Sequence, residues 1–137
     1  MTTKVLCPID GTPHSLHAVN VAADIAAKFG AELAICIVNI AHGGGRGPLI
    51  HHWQDADAQT ILDQVAATVT ALGMKLAHSA VVLDREAASG IIRYAENKGI
   101  DHIVMGTGDK HGLSRLVLGS VAADVCARAH CTVTVAR

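Results

Sequence analysis

Apolar runs of strand length alternate along this chain with longer segments of helical periodicity, and that alternation leaves few folds open to it. Lys4 to Ile9 and Glu32 to Ile40 are short apolar runs, and Met74 to Leu83, Ile100 to Met105 and Thr132 to Ala136 complete five predicted strands. Between them, Ser15 to Phe29 carries Leu16, Val19, Ala22, Ala23, Ala26 and Phe29 at helical spacing, with Gly30 placed as a C-terminal cap. Asp55 to Leu72 repeats the pattern with Ile61, Leu62, Val65, Val69 and Leu72 facing inward. Glu86 to Asn97 does so with Ile91, Ile92 and Ala95, and Gly119 to Ala129 forms the last predicted helix. Strand and helix in alternation imply an α/β fold with a mainly parallel sheet. Strands apolar at successive positions imply that the sheet is covered by helices on both faces.

Composition narrows the choice further. Half of the 137 residues are apolar, yet only Phe29, Trp53 and Tyr94 are aromatic, so the core of a single domain is built from Ala, Val, Leu and Ile. A formal net charge of −1 provides no basic field for nucleic acid or an anionic membrane surface. No apolar run approaches the roughly 20 residues of a bilayer span. Met1-Thr2-Thr3-Lys4 leads directly into a strand with no secretory pattern, and a cytoplasmic location is expected. Cys7 and Cys36 fall inside predicted strands as small buried hydrophobes, while Cys126 and Cys131 have no zinc-site spacing. His51-His52 lie near Asp55 and Asp57, but adjacent histidines rarely turn both rings to one ion, and His14 and His17 need only a solvated helix face. No metal site is expected.

Two loops carry the chemistry. Ile103-Val104-Met105 feeds the glycine-dense stretch Gly106-Thr107-Gly108-Asp109, and Gly119-Ser120 opens the last helix. Glycine admits close approach of backbone N–H groups to an oxyanion, and a first helical turn leaves several such donors unpaired. The spacing fits neither the phosphate loop of NTPases nor the dinucleotide fingerprint. In open α/β sheets, ligands bind beyond the carboxyl ends of the strands where the winding reverses. If the first and fourth predicted strands are neighbours, Asp10-Gly11-Thr12-Pro13 meets the glycine loop there. Asp10 then faces the crevice, while Asp-Gly-Thr-Pro is also good turn and helix-cap chemistry, and the two roles are compatible.

Val5-Leu6-Cys7-Pro8-Ile9-Asp10-Gly11-Thr12, Tyr94 to Gly106, and Leu113 to Val121 followed by Cys131-Thr132-Val133-Thr134-Val135 resemble, in order and over nearly the whole chain, the universal stress protein family. The resemblance implies an open five-stranded parallel sheet in the order 3-2-1-4-5 with helices on both faces, as in adenine nucleotide alpha hydrolase-like folds. It also implies homodimers joined through the C-terminal strand, which the alternating Thr132 to Val135 suits as an edge. Nucleotide-binding members carry a glycine, two residues, a second glycine, nine residues and then Gly-Ser or Gly-Thr. Here Gly106 and Gly119-Ser120 keep that separation, Asp109 stands at the second glycine, and Gly108 lies one residue early.

By the same resemblance, Pro8, Ile9 and Asp10 would face adenine and ribose, and Val38 would offer main-chain contacts to the base. Met105 and Gly106 would line the floor, Gly108 and Asp109 the phosphate loop, and Gly119, Ser120 and Val121 would contact phosphate. A carboxylate about 4 Å from a phosphate oxygen costs roughly 4 kcal/mol at an effective dielectric of about 20. Lys110, His111 and Arg115, or a Mg²⁺ or Mn²⁺ ion accompanying a triphosphate, could offset it, and AMP would feel less of it than ATP. Three functions follow: a nucleotide-responsive dimeric stress regulator with an unidentified protein partner, a dimeric interaction module whose site Asp109 has disabled, or a slow ATP hydrolase. No base or arginine finger stands at a recognisable spacing for the third.

Overall fold

Strands apolar on both sides need cover on both sides, and the computed structural model of the protein, which describes residues 1–43, 50–51, 53–108 and 118–137, supplies it. The elements run β1 (Lys4–Ile9), α1 (Pro13–Phe29), β2 (Glu32–His42), β3 (Ile50–His51), α2 (Asp55–Ala71), β4 (Leu76–Asp84), α3 (Ala87–Asn97), β5 (His102–Gly106), α4 (Ser120–Arg128) and β6 (Thr132–Ala136). Five strands pair in parallel in the order β4-β2-β1-β5-β6, which is the predicted 3-2-1-4-5. The addition is β3, read from sequence as loop. β2 runs to His42, past the predicted end at Ile40, and its Ala41 and His42 pair antiparallel with His51 and Ile50.

The strand period of two sorts the apolar residues into two cores. Val5, Cys7 and Ile9 of β1 and Leu33, Ile35 and Ile37 of β2 pack with α1 and α2. Leu6, Ala34, Cys36 and Val38 pack on the other face with α3 and α4. Helix α1 buries Ser15, Ala18, Val19, Ala22, Ala23 and Ala26, a stripe of small side chains. Leu16 and Phe29, expected inside, are 42% and 61% exposed, and Leu72 is 49% exposed. Leu16 is rotated off the stripe, Phe29 lies in the last turn before the left-handed Gly30 cap, and Leu72 is itself the cap residue of α2. On α3, Ile91 and Ala95 are buried as expected, Ile92 is only half-buried, and Tyr94 is buried where no expectation was made.

The pairing of β1 is unequal along its length. Its ladder to β2 continues to Ile9↔Ile37, whereas its ladder to β5 consists of Val5↔His102 and Leu6↔Ile103. Pro8 has no amide hydrogen to contribute, so a proline inside this central strand fits where the β5 ladder has already ended. The opposite, amino-terminal end is tied shut. Both carboxylate oxygens of Asp101 accept from the Thr3 N–H at 3.1 and 2.9 Å, and one accepts from the Lys4 N–H at 3.2 Å. The Thr3 hydroxyl donates to the same carboxylate. His102, 8% exposed, bonds Thr2 Oγ1 at 3.1 Å and Thr134 Oγ1 at 2.8 Å, linking the start of β1, β5 and β6.

Partial burial pushes the Asp101 carboxyl up, but the hydrogen bonds from Thr3 and Lys4 outweigh it and hold the acid below its ordinary value. A group depressed in the folded state contributes stability above its unfolded pKa and loses it as pH falls through the folded one. Asp101→Ala is therefore expected to lower stability at pH 7 by about 1 kcal/mol, the low end for charge-assisted bonds because solvent screens the site. In denaturant melts of both proteins the gap should narrow as pH falls below about 4. A pH-independent gap would remove the charged clamp.

Candidate functional site

Where β1 and β5 part, a cavity of about 410 Å³ opens at the carboxyl end of the sheet. Ten of the residues singled out from sequence line it: Pro8, Ile9, Asp10, Val38, Met105, Gly106, Gly108, Gly119, Ser120 and Val121. Asp109 lies outside the described residues, as do Lys110, His111 and Arg115.

Asp10 holds the turn that starts α1. Its Oδ1 accepts from the Thr12 N–H at 2.9 Å and from the Thr12 hydroxyl at 2.6 Å. Thr12 in turn caps α1, its Oγ1 accepting from the Ser15 N–H, and Pro13 occupies the first turn. Asp10 is exposed and lines the cavity as well, so its turn role and its crevice position coexist.

The motif glycines are explained by close backbone packing. A Cβ on Gly106 would lie 2.8 Å from the His14 carbonyl oxygen, so only glycine lets β5 end against the first turn of α1. A Cβ on Gly119 would overlap the Thr107 carbonyl oxygen, which accepts the Gly119 N–H at 2.7 Å. Gly119 thus spends its amide on the loop, contrary to the expectation that it presents that amide to a phosphate, while still lining the cavity. No side chain caps α4, and the first amide bonded back within it is that of Ala123, to the Gly119 carbonyl. Ser120, Val121 and Ala122, whose N–H groups precede that ladder, line the cavity.

Sheet order divides the cavity by chemistry. On the β2 side stand Val38 and Ile40, with Ala87 and Ile91 of α3 and Trp53 ahead of α2; on the β5 side stand Gly106, Gly108 and the start of α4. The β2 side is apolar in its side chains, the β5 side adds glycines, the Ser120 hydroxyl and the first turn of α4 to Met105, Val121 and Ala122, and Asp10, just past the central strand, lies between. Sequence reasoning missed Trp53, Ile40, His14, Ser15 and the α3 contribution. The signal for Trp53 was Asn39, a polar residue in an otherwise apolar strand. Fully buried, Asn39 donates through Nδ2 to the Trp53 carbonyl at 2.9 Å and accepts the Trp53 N–H on Oδ1 at 2.9 Å.

Thiol chemistry is shut out beneath the site. Burial, with Cys36 and Asp10 adding to it, raises the Cys7 thiol far above its ordinary value, and burial pushes Cys36 up to about 12. Both stay protonated and poor nucleophiles. Among the described residues no three His, Cys, Asp or Glu side chains gather as a metal would require, and no helix is long and apolar enough to cross a membrane.

Two kinds of comparison agree on the family and a third on the fold. The profile of the universal stress protein family matches residues 1–137. A universal stress protein of Methanocaldococcus jannaschii is 37% identical over 140 residues, covering 98% of this chain and 81% of the relative. The crystal structure of a universal stress protein in complex with cAMP superposes with a TM-score of 0.77 at 22% identity, covering 99% of this chain and 97% of the other. A universal stress protein from Archaeoglobus fulgidus in complex with dAMP gives 0.72 at 20% identity, over 100% and 98% of the two chains.

If the two glycines serve backbone approach, Gly106→Ala and Gly119→Ala should each cost about 1–3 kcal/mol in denaturant melts. Ser120→Ala, beside Gly119 but exposed, should stay within about 0.5 kcal/mol of the native protein. Alanine tolerated at both glycines would contradict the packing described.

Proposed function

The chain belongs to the universal stress protein family, and we propose that its cavity binds an adenine nucleotide, AMP or ATP, whose occupancy regulates a stress response. The observation that carries this is one cavity with aliphatic side chains on its β2 side and glycines with the uncapped first turn of α4 on its β5 side. A purine suits Val38, Ile40 and Ile91, and a phosphate suits the uncapped first turn of α4, where the helix dipole favours an anion. A volume of about 410 Å³ lies within the usual range for small-ligand pockets, roughly 300–1,000 Å³. The relatives solved with cAMP and dAMP are in keeping with an adenylate.

A triphosphate would bring Mg²⁺ or Mn²⁺ with it. Asp109, the carboxylate placed by sequence beside the phosphates, lies outside the described residues, so the monophosphate is the sharper probe. Bound nucleotide would act as a regulator by favouring one arrangement of the loops that a protein partner meets. No catalytic step is assigned, and a cytoplasmic site of action is part of the proposal.

Ser120→Asp separates binding from folding. A carboxylate in the first turn of a helix is favourable for the helix, so thermal stability should hold or rise. Facing a phosphate at about 4 Å, it should cost roughly 4 kcal/mol, near three decades of affinity. Calorimetry is expected to show saturable AMP binding to the native protein, lost in Ser120→Asp, with adenosine binding little changed. Native protein that takes up neither AMP nor ATP would overturn the reading, and recovery of ATP binding in Asp109→Gly would then favour the disabled module.

We further propose a homodimer through β6. This strand pairs only with β5 among the described residues, leaving its other edge available, and Val133 and Val135 are only half-buried. Sedimentation equilibrium at micromolar concentration should give the mass of two chains. A monomer mass would exclude it.

A further inference from the structure

Granted an adenine nucleotide in this cavity, on which the inference rests, we infer that the ring of Trp53 is the aromatic wall of the base-binding half and sets the preference for a planar base over a bare sugar phosphate. Three observations place it. Trp53 lines the cavity on the side of β2, away from the amides of α4. It is half-buried and packs on the α1–α2 core, so its position is supported from behind.

Its backbone is also fixed in a way that a solvated loop residue would not need. Both polar atoms of the fully buried Asn39 are committed to the Trp53 N–H and carbonyl, each at 2.9 Å. Directly before that clamp, β3 folds back along the overhanging end of β2, since β2 passes beyond the last residue of β1 by five positions, from Val38 to His42. The strand extension, the buried amide and the ladder together fix the residues that lead into α2, and the one among them at the cavity wall is the sole tryptophan of the protein. The other residues on that side, Val38, Ile40, Ala87 and Ile91, are aliphatic and discriminate a base from other apolar groups poorly. An indole face adds stacking, which is indifferent to base identity and absent for a ligand without a ring.

AMP and ribose 5-phosphate, which share the phosphate and sugar but not the base, are titrated by calorimetry into native protein, Trp53→Ala and Trp53→Phe. Trp53→Ala is expected to weaken AMP about ten-fold or more while leaving ribose 5-phosphate within two-fold or so, and Trp53→Phe should restore most of the loss. In the native protein the single-tryptophan fluorescence should change over the same AMP concentrations that saturate the calorimetric signal. AMP affinity unchanged in Trp53→Ala overturns the inference and leaves the nucleotide site standing. Equal losses for AMP and ribose 5-phosphate also overturn it, because they would mark a cavity damaged as a whole. Native protein that binds no AMP overturns the wall as inferred, before any substitution is compared, and if ATP is not bound either it overturns the nucleotide site itself.

Discussion

The separation of β1 from β5 beyond Leu6 is the constraint from which the rest of this molecule follows. At one end of the sheet the two strands are drawn together by Asp101 reaching the amides of Thr3 and Lys4, and by His102 spanning Thr2 and Thr134. At the other end the ladder stops, Pro8 brings no donor, and the connections from β1 and β5 leave toward opposite faces. A parallel sheet wound outward in both directions from β1 must leave a gap at that point. Polar clamps at the closed end let the open end stay apart without fraying the central strands.

Because every major strand is parallel, the helices that follow them begin at the same edge. Helices α1, α3 and α4 all bring residues of their starts to the cavity wall, through Thr12, His14 and Ser15, Ala87, and Ser120 to Ala122. They differ in how their amides are used. Asp10 and Thr12 serve α1 internally, whereas α4 has no side-chain cap. Helix α3 has no side-chain cap either, so the first turns of α3 and α4 both meet the crevice uncapped, α3 beside the aliphatic side chains of β2 and α4 beside the glycines of the β5 side.

Much of this was legible in the residues. Continuous apolar strands broken by helical stripes gave the architecture because a sheet buried on both faces has no other economical pattern. The two loops were legible because glycine and Asp-Gly-Thr-Pro report backbone requirements directly. Less was visible where tertiary geometry decides. Phe29 continues the stripe of α1 yet overhangs its end, and nothing local tells a helix how far its sheet extends. Gly119 was read as a presented amide, but its N–H is taken by Thr107, a pairing that depends on the loop's path. Trp53 escaped notice because it belongs to no motif; Asn39, which fixes it, looks in sequence like a flaw in a strand.

That flaw has a physical logic. A fully buried amide side chain costs a few kcal/mol if it is left unpaired, so Asn39 is tolerable only where another group meets both its donor and its acceptor. The backbone of Trp53 does so, and an apolar residue at position 39 could not hold the returning segment in one register. Packing alone would let a two-residue strand such as β3 slide or lift, since so short a ladder is barely stable by itself. The buried amide converts a weak antiparallel pair into a defined placement of the segment beside α2. The cavity's apolar half is thus shaped by a polar contact hidden under it, and its shape is as firm as that pair of hydrogen bonds.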